Sequence, residues 1–333
     1  MRVRVAICIG ALCAVLALIV RTHDIARGAP SPAHLTLVAY STPRDAFGEL
    51  IKAFQATESG AGVNIDASYG GSGEQSRAVQ NGLPADIVAF SLEPDIGRLV
   101  DSGLVAPNWN QTSTHGMVTR SVVVLVVRRG NPKHIASWND LVRPGIEVIT
   151  PNPFTSGGAR WNIAAAYGAQ LQQGRTQEQA ATYLRDLFDH IAVQDKSARE
   201  AMQTFVAGKG DVMIAYESEA ILAQQKKLDI DYVVPRPTIL IENPIAVTKS
   251  TGNPSLANAF VNFCLSTQGQ TIFSKYGYRP VVELPGHPLQ RQNATFSIDY
   301  LGGWSSVDRT LFDPSTGLVA KIEQDLGVSG AGR

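Results

Sequence analysis

The stretch Ser121-Val-Val-Val-Leu-Val-Val-Arg128 decides how the rest of the chain is read. It is a continuous apolar run, mostly β-branched, and predicts a strand over Val122 to Val127. A second stretch of the same kind is Glu242-Asn-Pro-Ile-Ala-Val-Thr248, with a strand at Ile245 to Val247. Read as two crossings between lobes, they divide the chain simply. One lobe is built from its two ends and the other from its middle: 29–119 with 246–333 as lobe I, and 120–245 as lobe II.

Outward from these runs, short β-branched segments alternate with helical patterns. Strands are predicted at Leu35 to Ala39, Val63 to Ser68, Ile87 to Phe90, Val148 to Thr150, Ile191 to Val193, Val212 to Tyr216 and Tyr232 to Val234. Helices are predicted at Arg44 to Glu58, Glu93 to Ser102, Arg160 to Tyr167, Thr176 to Phe188, Ala198 to Ala207 and Ser255 to Leu265. That alternation argues for an α/β fold in which each lobe is a mostly parallel sheet flanked by helices. A length of 333 residues agrees, being too great for one ordinary core. A cleft between the lobes, at the carboxyl ends of the strands, is where such sheets bind ligands.

Lys and Arg together number 29, as do Asp and Glu. This balance gives no basic field for nucleic acid, and an anionic ligand would have to be held by local donors rather than by net charge. At the start, Arg2 and Arg4 precede an apolar run from Val5 to Val20, the order of a signal sequence. The run is slightly short of the ~20 residues of a membrane anchor. Residues 1–28 are therefore expected to be removed, with a cut after Gly28 and a periplasmic or extracytoplasmic destination. Cys8 and Cys13 leave with the leader, so Cys264 is expected alone, as a small core residue.

Three loops share one design, a strand followed by a small-residue turn and a helix: Tyr69-Gly-Gly-Ser-Gly-Glu74, Thr155-Ser-Gly-Gly-Ala-Arg-Trp161 and Asp195-Lys-Ser-Ala-Arg199. Helix starts leave unpaired N–H groups and carry about half a positive charge each, so three of them supply roughly 1.5 charges to an anion. Each loop alone also reads as an ordinary helix start. Spread over both lobes, they can enclose one ligand. Arg44, Arg160 and Arg199 stand beside the loops and are expected to pair with carboxylates or carbonyls. Trp138, Trp161 and Trp304 are expected to pack rather than stack on a ligand.

Enzyme readings find little support. Gly70-Gly-Ser-Gly-Glu74 lacks the last glycine of a nucleophile elbow, and the histidines have no metal-ligand spacing. Gly208-Lys-Gly210 follows no phosphate-loop pattern and reads as the turn closing a helix. Neither metal nor cofactor is expected.

The segments Gly70-Gly-Ser-Gly73, Asn131-Pro132, Ser137-Trp-Asn-Asp-Leu141, Val148-Ile-Thr-Pro-Asn-Pro153, Ser156-Gly-Gly-Ala-Arg-Trp161, Gly210-Asp211, Glu217, Glu219-Ala220 and Tyr278-Arg-Pro280 resemble the periplasmic sulfate- and thiosulfate-binding proteins. The resemblance covers nearly everything after the leader. It implies a type II periplasmic binding fold that holds a dehydrated oxyanion with uncharged donors, works as a monomer, and hands its ligand to the membrane permease of an ABC importer. By that resemblance the donors are the hydroxyls of Ser72 and Ser156 and the N–H groups of Gly157, Gly158 and Ala198. Two positions depart from it. Ser41 stands where an Asp is usual, leaving a backbone donor, and Tyr216 stands where an indole donor is expected; a phenol can donate too, but from a different distance, which shifts the pocket's size or its ligand.

A donor-only pocket accepts fully ionised sulfate and rejects phosphate, whose remaining proton would face another hydrogen. Roughly seven charge-assisted bonds at about 1.5 to 3 kcal/mol give about 10 to 20 kcal/mol, opposed by about 4 to 15 for association and closure. Micromolar or tighter binding is within reach of that difference. Thiosulfate, molybdate or tungstate are alternative ligands. An enzyme or an adhesive surface protein on the same scaffold is the alternative of another class.

Overall fold

The apolar run at 121–128 is buried on both sides. It lies in a strand, Met117–Arg128, whose Val123, Leu125 and Val127 enter one apolar cluster while Val122, Val124 and Val126 enter another. A strand covered on both faces needs apolar residues at every position, which is why its sequence lacks a period of two. The computed structural model describes residues 33–285 and 295–327. The expected leader, 1–28, lies outside them.

In chain order the elements are β1 (His34–Tyr40), α1 (Arg44–Gln55), β2 (Asn64–Gly70), α2 (Ser72–Gln80), β3 (Ile87–Ala89), α3 (Glu93–Asp101) and β4, the strand Met117–Arg128. There follow β5 (Val148–Ile149), α4 (Gly157–Gln172), α5 (Gln177–Asp189), β6 (Ile191–Val193), α6 (Ala198–Val206), β7 (Val212–Tyr216), α7 (Glu217–Gln225), β8 (Ile230–Val233) and β9 (Thr238–Val247). The last are α8 (Pro254–Leu265), α9 (Thr267–Lys275), β10 (Thr295–Phe296), α10 (Gly303–Val307) and α11 (Leu318–Asp325).

The strands form one mixed sheet in the order β2-β1-β3-β9-β4-β7-β5-β6, with β8 beside β4 and β10 beside β9. Pairing is parallel among β2, β1 and β3, and again among β7, β5 and β6. Between these groups β9 and β4 run antiparallel to each other and to their outer neighbours. The mostly parallel arrangement read from the sequence therefore holds only toward the two ends. A chain that passes out along one strand and returns along another must pair those two in opposite directions.

β9 is longer than its sequence shows. Leu240 to Pro244 pair with β4, and Ile245 to Val247 pair with β3. Pro244 has no N–H to give a ladder, and it stands where β9 changes partner.

Helices cover both faces. From β1, Leu35, Leu37 and Ala39 pack with Phe47, Leu50 and Phe54 of α1 and with Phe260 and Phe273, while Val38 points into a cluster with Val79, Phe90, Ile96 and Leu99. The helical spacing of Phe47, Leu50 and Phe54 gives α1 its single apolar face, and each such side chain contributes about 1.5 to 3 kcal/mol on burial. Cys264 is fully buried in the same cluster, where burial pushes its thiol pKa up.

On the β4–β7 side, α4 and α5 cover one face while Ala201 and Phe205 of α6 and Ala220 and Ala223 of α7 cover the other. Gly208, at φ 103°, turns the chain out of α6, and Arg128 donates to the Phe205 and Gly210 carbonyls there, both at 2.7 Å. Residues 295–327 join this half of the molecule. Trp304, Val307, Phe312, Val319 and Ile322 share a cluster with Trp161 and Leu184, and β10 pairs with the start of β9. Their helices are too short to show which face they bury.

Candidate functional site

Three strand-to-helix turns meet at one place. A Cβ on Gly71, just before α2, would stand 2.7 Å from the Thr155 carbonyl oxygen and 3.1 Å from that of Lys196. A Cβ on Gly158, in the first turn of α4, would stand 3.4 Å from Ser156 Oγ, 3.5 Å from the Ala198 side chain and 3.8 Å from the Tyr216 ring. One on Gly157 would stand 2.8 Å from Ser91 Cβ and 2.9 Å from Ser91 Oγ. The starts of α2, α4 and α6 are thus in mutual contact, with Tyr216 and Ser91 against them.

Of the seven residues read from the sequence, six are brought together by these contacts and by hydrogen bonds: Ser72, Ser156, Gly157, Gly158, Ala198 and Tyr216. Ser41 is buried just past the end of β1, two residues beyond the Ala39–Ala89 pair as Ser91 is beyond β3, and among the described residues its hydroxyl makes no hydrogen bond to the other six.

The donors differ in how far they are already used. Gly157, Gly158 and Ala198 occupy first turns, where a helix has no acceptor for its N–H groups, and they donate to no other protein group among the described residues. Ser156 precedes α4 in extended conformation, and its hydroxyl makes no capping bond. By contrast Ser197 caps α6, accepting the Glu200 N–H at 3.3 Å. The Ser72 hydroxyl gives its single proton to Asp95 Oδ2 at 2.6 Å and accepts the Ser91 N–H at 2.9 Å. Asp95 is held in turn by Arg98 at 2.9 Å.

Tyr216 ends β7 and is almost wholly buried, with its hydroxyl 2.6 Å from Ser91 Oγ. Burial raises its pKa well above the ordinary value, so it stays a neutral phenol. Ser91 is a hub that sequence reasoning missed. Its carbonyl accepts Trp161 Nε1 at 2.9 Å and Asn243 Nδ2 at 3.0 Å. The available signal was its place, a polar residue at the carboxyl end of an apolar strand.

The neighbouring cations are engaged elsewhere. Arg160 donates to the Pro153 carbonyl and to Asp308, both at 2.9 Å; Arg199 lies 3.7 Å from Asp45, and Arg44 stands over the Tyr69 ring. Trp161 packs edge-on against Trp304 with ring centroids 4.6 Å apart, in the packing role read from the sequence. Beside the site is a cavity of about 200 Å³ lined by Thr42, Arg199, Met202, Glu219, Leu222 and Lys226. Burial pushes the Glu219 carboxyl up to about 7, against the Tyr216 N–H and the Arg199 charge, which lower it. Among the described residues, no group of three or more His, Cys, Asp or Glu could hold a metal ion, and no helix is long and apolar enough to cross a membrane.

The arrangement can hold an anion with neutral donors and has no poised nucleophile. The family model described as bacterial extracellular solute-binding protein matches residues 35–279. The chain belongs to that family. This solute-binding protein is 40% identical over 312 residues to a sulfate-binding protein from Synechococcus elongatus, covering 89% of this chain and 88% of that one. It is 39% identical over 292 residues to a sulfate-binding protein from Salmonella typhimurium, covering 83% and 88%. Among solved structures it is similar to the sulfate-binding protein SubI from Mycobacterium tuberculosis, with a TM-score of 0.81 and 43% identity over 84% of this chain and 100% of that chain. The fold is the mixed α/β fold of periplasmic binding proteins, and the solute-binding protein is not an enzyme.

Proposed function

We propose that the protein captures sulfate where the starts of α2, α4 and α6 meet and delivers it, outside the cytoplasmic membrane, to the permease of an ABC importer. The observation that carries this reading is the approach of Gly71 and Gly158 to the other two loops, which brings three sets of helix-start N–H groups to one point. Three helix dipoles supply roughly 1.5 positive charges, close to what a dianion needs. No lysine or arginine is required, in keeping with Arg160 and Arg199 facing carboxylates.

In this reading Ser156 donates its hydroxyl, and Gly157, Gly158 and Ala198 donate their N–H groups. Ser72, whose hydroxyl proton goes to Asp95, contributes its backbone N–H at the start of α2. Ser41 adds a backbone donor from the end of β1. β4 and β9 are the two crossings. Residues 33–119 with 246–285 form one lobe, 120–245 form the other, and 295–327 ride on the second, as their packing favours. The leader directs export and is removed after Gly28.

The second reading is another tetrahedral oxyanion, such as thiosulfate, molybdate or tungstate. Tyr216 favours it, since a phenol tied to Ser91 sets a different cavity from that of an indole. Titration calorimetry of the mature chain, first with sulfate and then with each competitor, decides between them. Saturable sulfate binding that thiosulfate, molybdate and tungstate displace only at large excess supports the first reading, and absence of saturable heat at millimolar sulfate defeats it.

A further inference from the structure

We propose that Ser91 is a further anion-binding residue: its oxygen takes the Tyr216 proton, and its own proton goes to the anion at the start of α4. The inference rests on the reading of this place as an oxyanion site. It comes from counting protons. Ser91 and Tyr216 share one hydrogen bond at 2.6 Å and carry two hydroxyl protons between them, so one is left over.

The direction of the shared bond decides whose proton that is. A phenol is the stronger acid and an alkyl hydroxyl the better acceptor, which favours donation from Tyr216 to Ser91. Asn243 holds the Ser91 backbone in place: its Oδ1 accepts from Thr119 Oγ1 at 3.1 Å, which turns its amino group toward the Ser91 carbonyl, 3.0 Å away.

With the shared bond given by Tyr216, the Ser91 proton has no other acceptor among the described residues, and Ser91 is fully buried. Its oxygen lies 2.9 Å from the point a Cβ on Gly157 would occupy. The hydroxyl therefore faces the same first turn of α4 that offers the Gly157 and Gly158 N–H groups. Only a glycine at 157 lets it come so near.

The test is sulfate titration calorimetry on the mature chain carrying Ser91→Ala, Ser91→Cys or Tyr216→Phe, with the melting temperature of each ligand-free variant as a check on folding. Both Ser91 variants are expected to weaken sulfate by about tenfold or more. Tyr216→Phe is expected to weaken it less, because Ser91 keeps its proton. Wild-type binding with Ser91→Ala unchanged overturns the inference and leaves the oxyanion reading standing. Equal losses for Ser91→Ala and Tyr216→Phe reduce the pair to a structural bond, and a larger loss for Tyr216→Phe makes the phenol the donor; either overturns it. A wild-type chain that binds no sulfate removes the oxyanion reading and this inference with it.

Discussion

Ser91 Oγ and Tyr216 Oη lie 2.6 Å apart although 125 positions separate them in the chain. Ser91 also holds Ser72 through its N–H, and Trp161 and Asn243 through its carbonyl. One residue thus fastens the first loop, the second loop, the end of β7 and β9. The donors around it are placed by neutral hydrogen bonds inside a dry region, where such bonds are strong and an unmade one is costly.

Ser156 and Ser72 should separate binding from stability. Ser156→Ala removes a hydroxyl that makes no capping bond and has no hydrogen-bond partner among the described residues, so sulfate affinity is expected to fall about tenfold to a hundredfold with little change in ligand-free stability. Ser72→Ala leaves Asp95 and the Ser91 N–H short of a partner, so it should cost about 1 to 3 kcal/mol of stability. Calorimetry and urea unfolding of the two variants check this; the reverse pattern contradicts the assignment.

Close approach makes Gly157 and Gly71 intolerant of a methyl group. Gly157→Ala would press against Ser91 and Leu92 at 2.8 Å, and Gly71→Ala against the Thr155 backbone at 2.7 Å. Each is expected to cost about 1 to 3 kcal/mol and to abolish or greatly weaken binding. Gly48→Ala, in α1 with open space around it, should instead stabilise the fold by about 0.5 to 1 kcal/mol. Melting temperatures of the three variants test the contrast.

Glu219 gives stability a pH dependence of known sign. In the folded chain it holds its proton up to about 7, whereas unfolded it releases it near 4.5. Between these values the folded state binds the extra proton. Its contribution is therefore complete below 4.5, is lost as pH rises through 7 and is constant above that. Glu219→Gln should flatten this part of the profile by roughly 2 to 3 kcal/mol between about pH 5 and about pH 8. Denaturant unfolding at several pH values measures it, and an unchanged slope in the variant rules out Glu219 as its source.

Trp304 ties the C-terminal segment to the site through Trp161. Trp304→Ala is expected to destabilise by about 3 to 5 kcal/mol and also to weaken sulfate binding, since Trp161 orients the Ser91 carbonyl. Thermal unfolding together with calorimetry reads both effects. Lost stability with unaltered affinity would show that the Trp161–Ser91 bond has no part in binding.

Much of this could be read from sequence because the local rules agree with the fold. The run at 121–128 lacks alternation since both of its faces are covered, and the three loops carry glycine and serine where strands turn into helices. The extra length of β9 was hidden by Asn243-Pro244, a pair that breaks strand patterns unless a neighbouring strand supplies the pairing. Ser91 was hidden because its role depends on residues distant in the chain, and no glycine marks it. The fate of the Ser72 proton was hidden for the same reason, as Asp95 lies on the next helix. Residues 295–327 form elements too short to declare a buried face, so their partner emerged only with the packing.

The most direct measurement is anomalous diffraction from crystals of the mature chain grown with selenate, which has the shape and charge of sulfate and scatters strongly. One peak within hydrogen-bonding distance of the Gly157, Gly158 and Ala198 nitrogens is expected, with Ser156 Oγ beside it. A peak held instead by the guanidinium of Arg44, Arg160 or Arg199, or none between the three helix starts, would contradict capture by neutral donors.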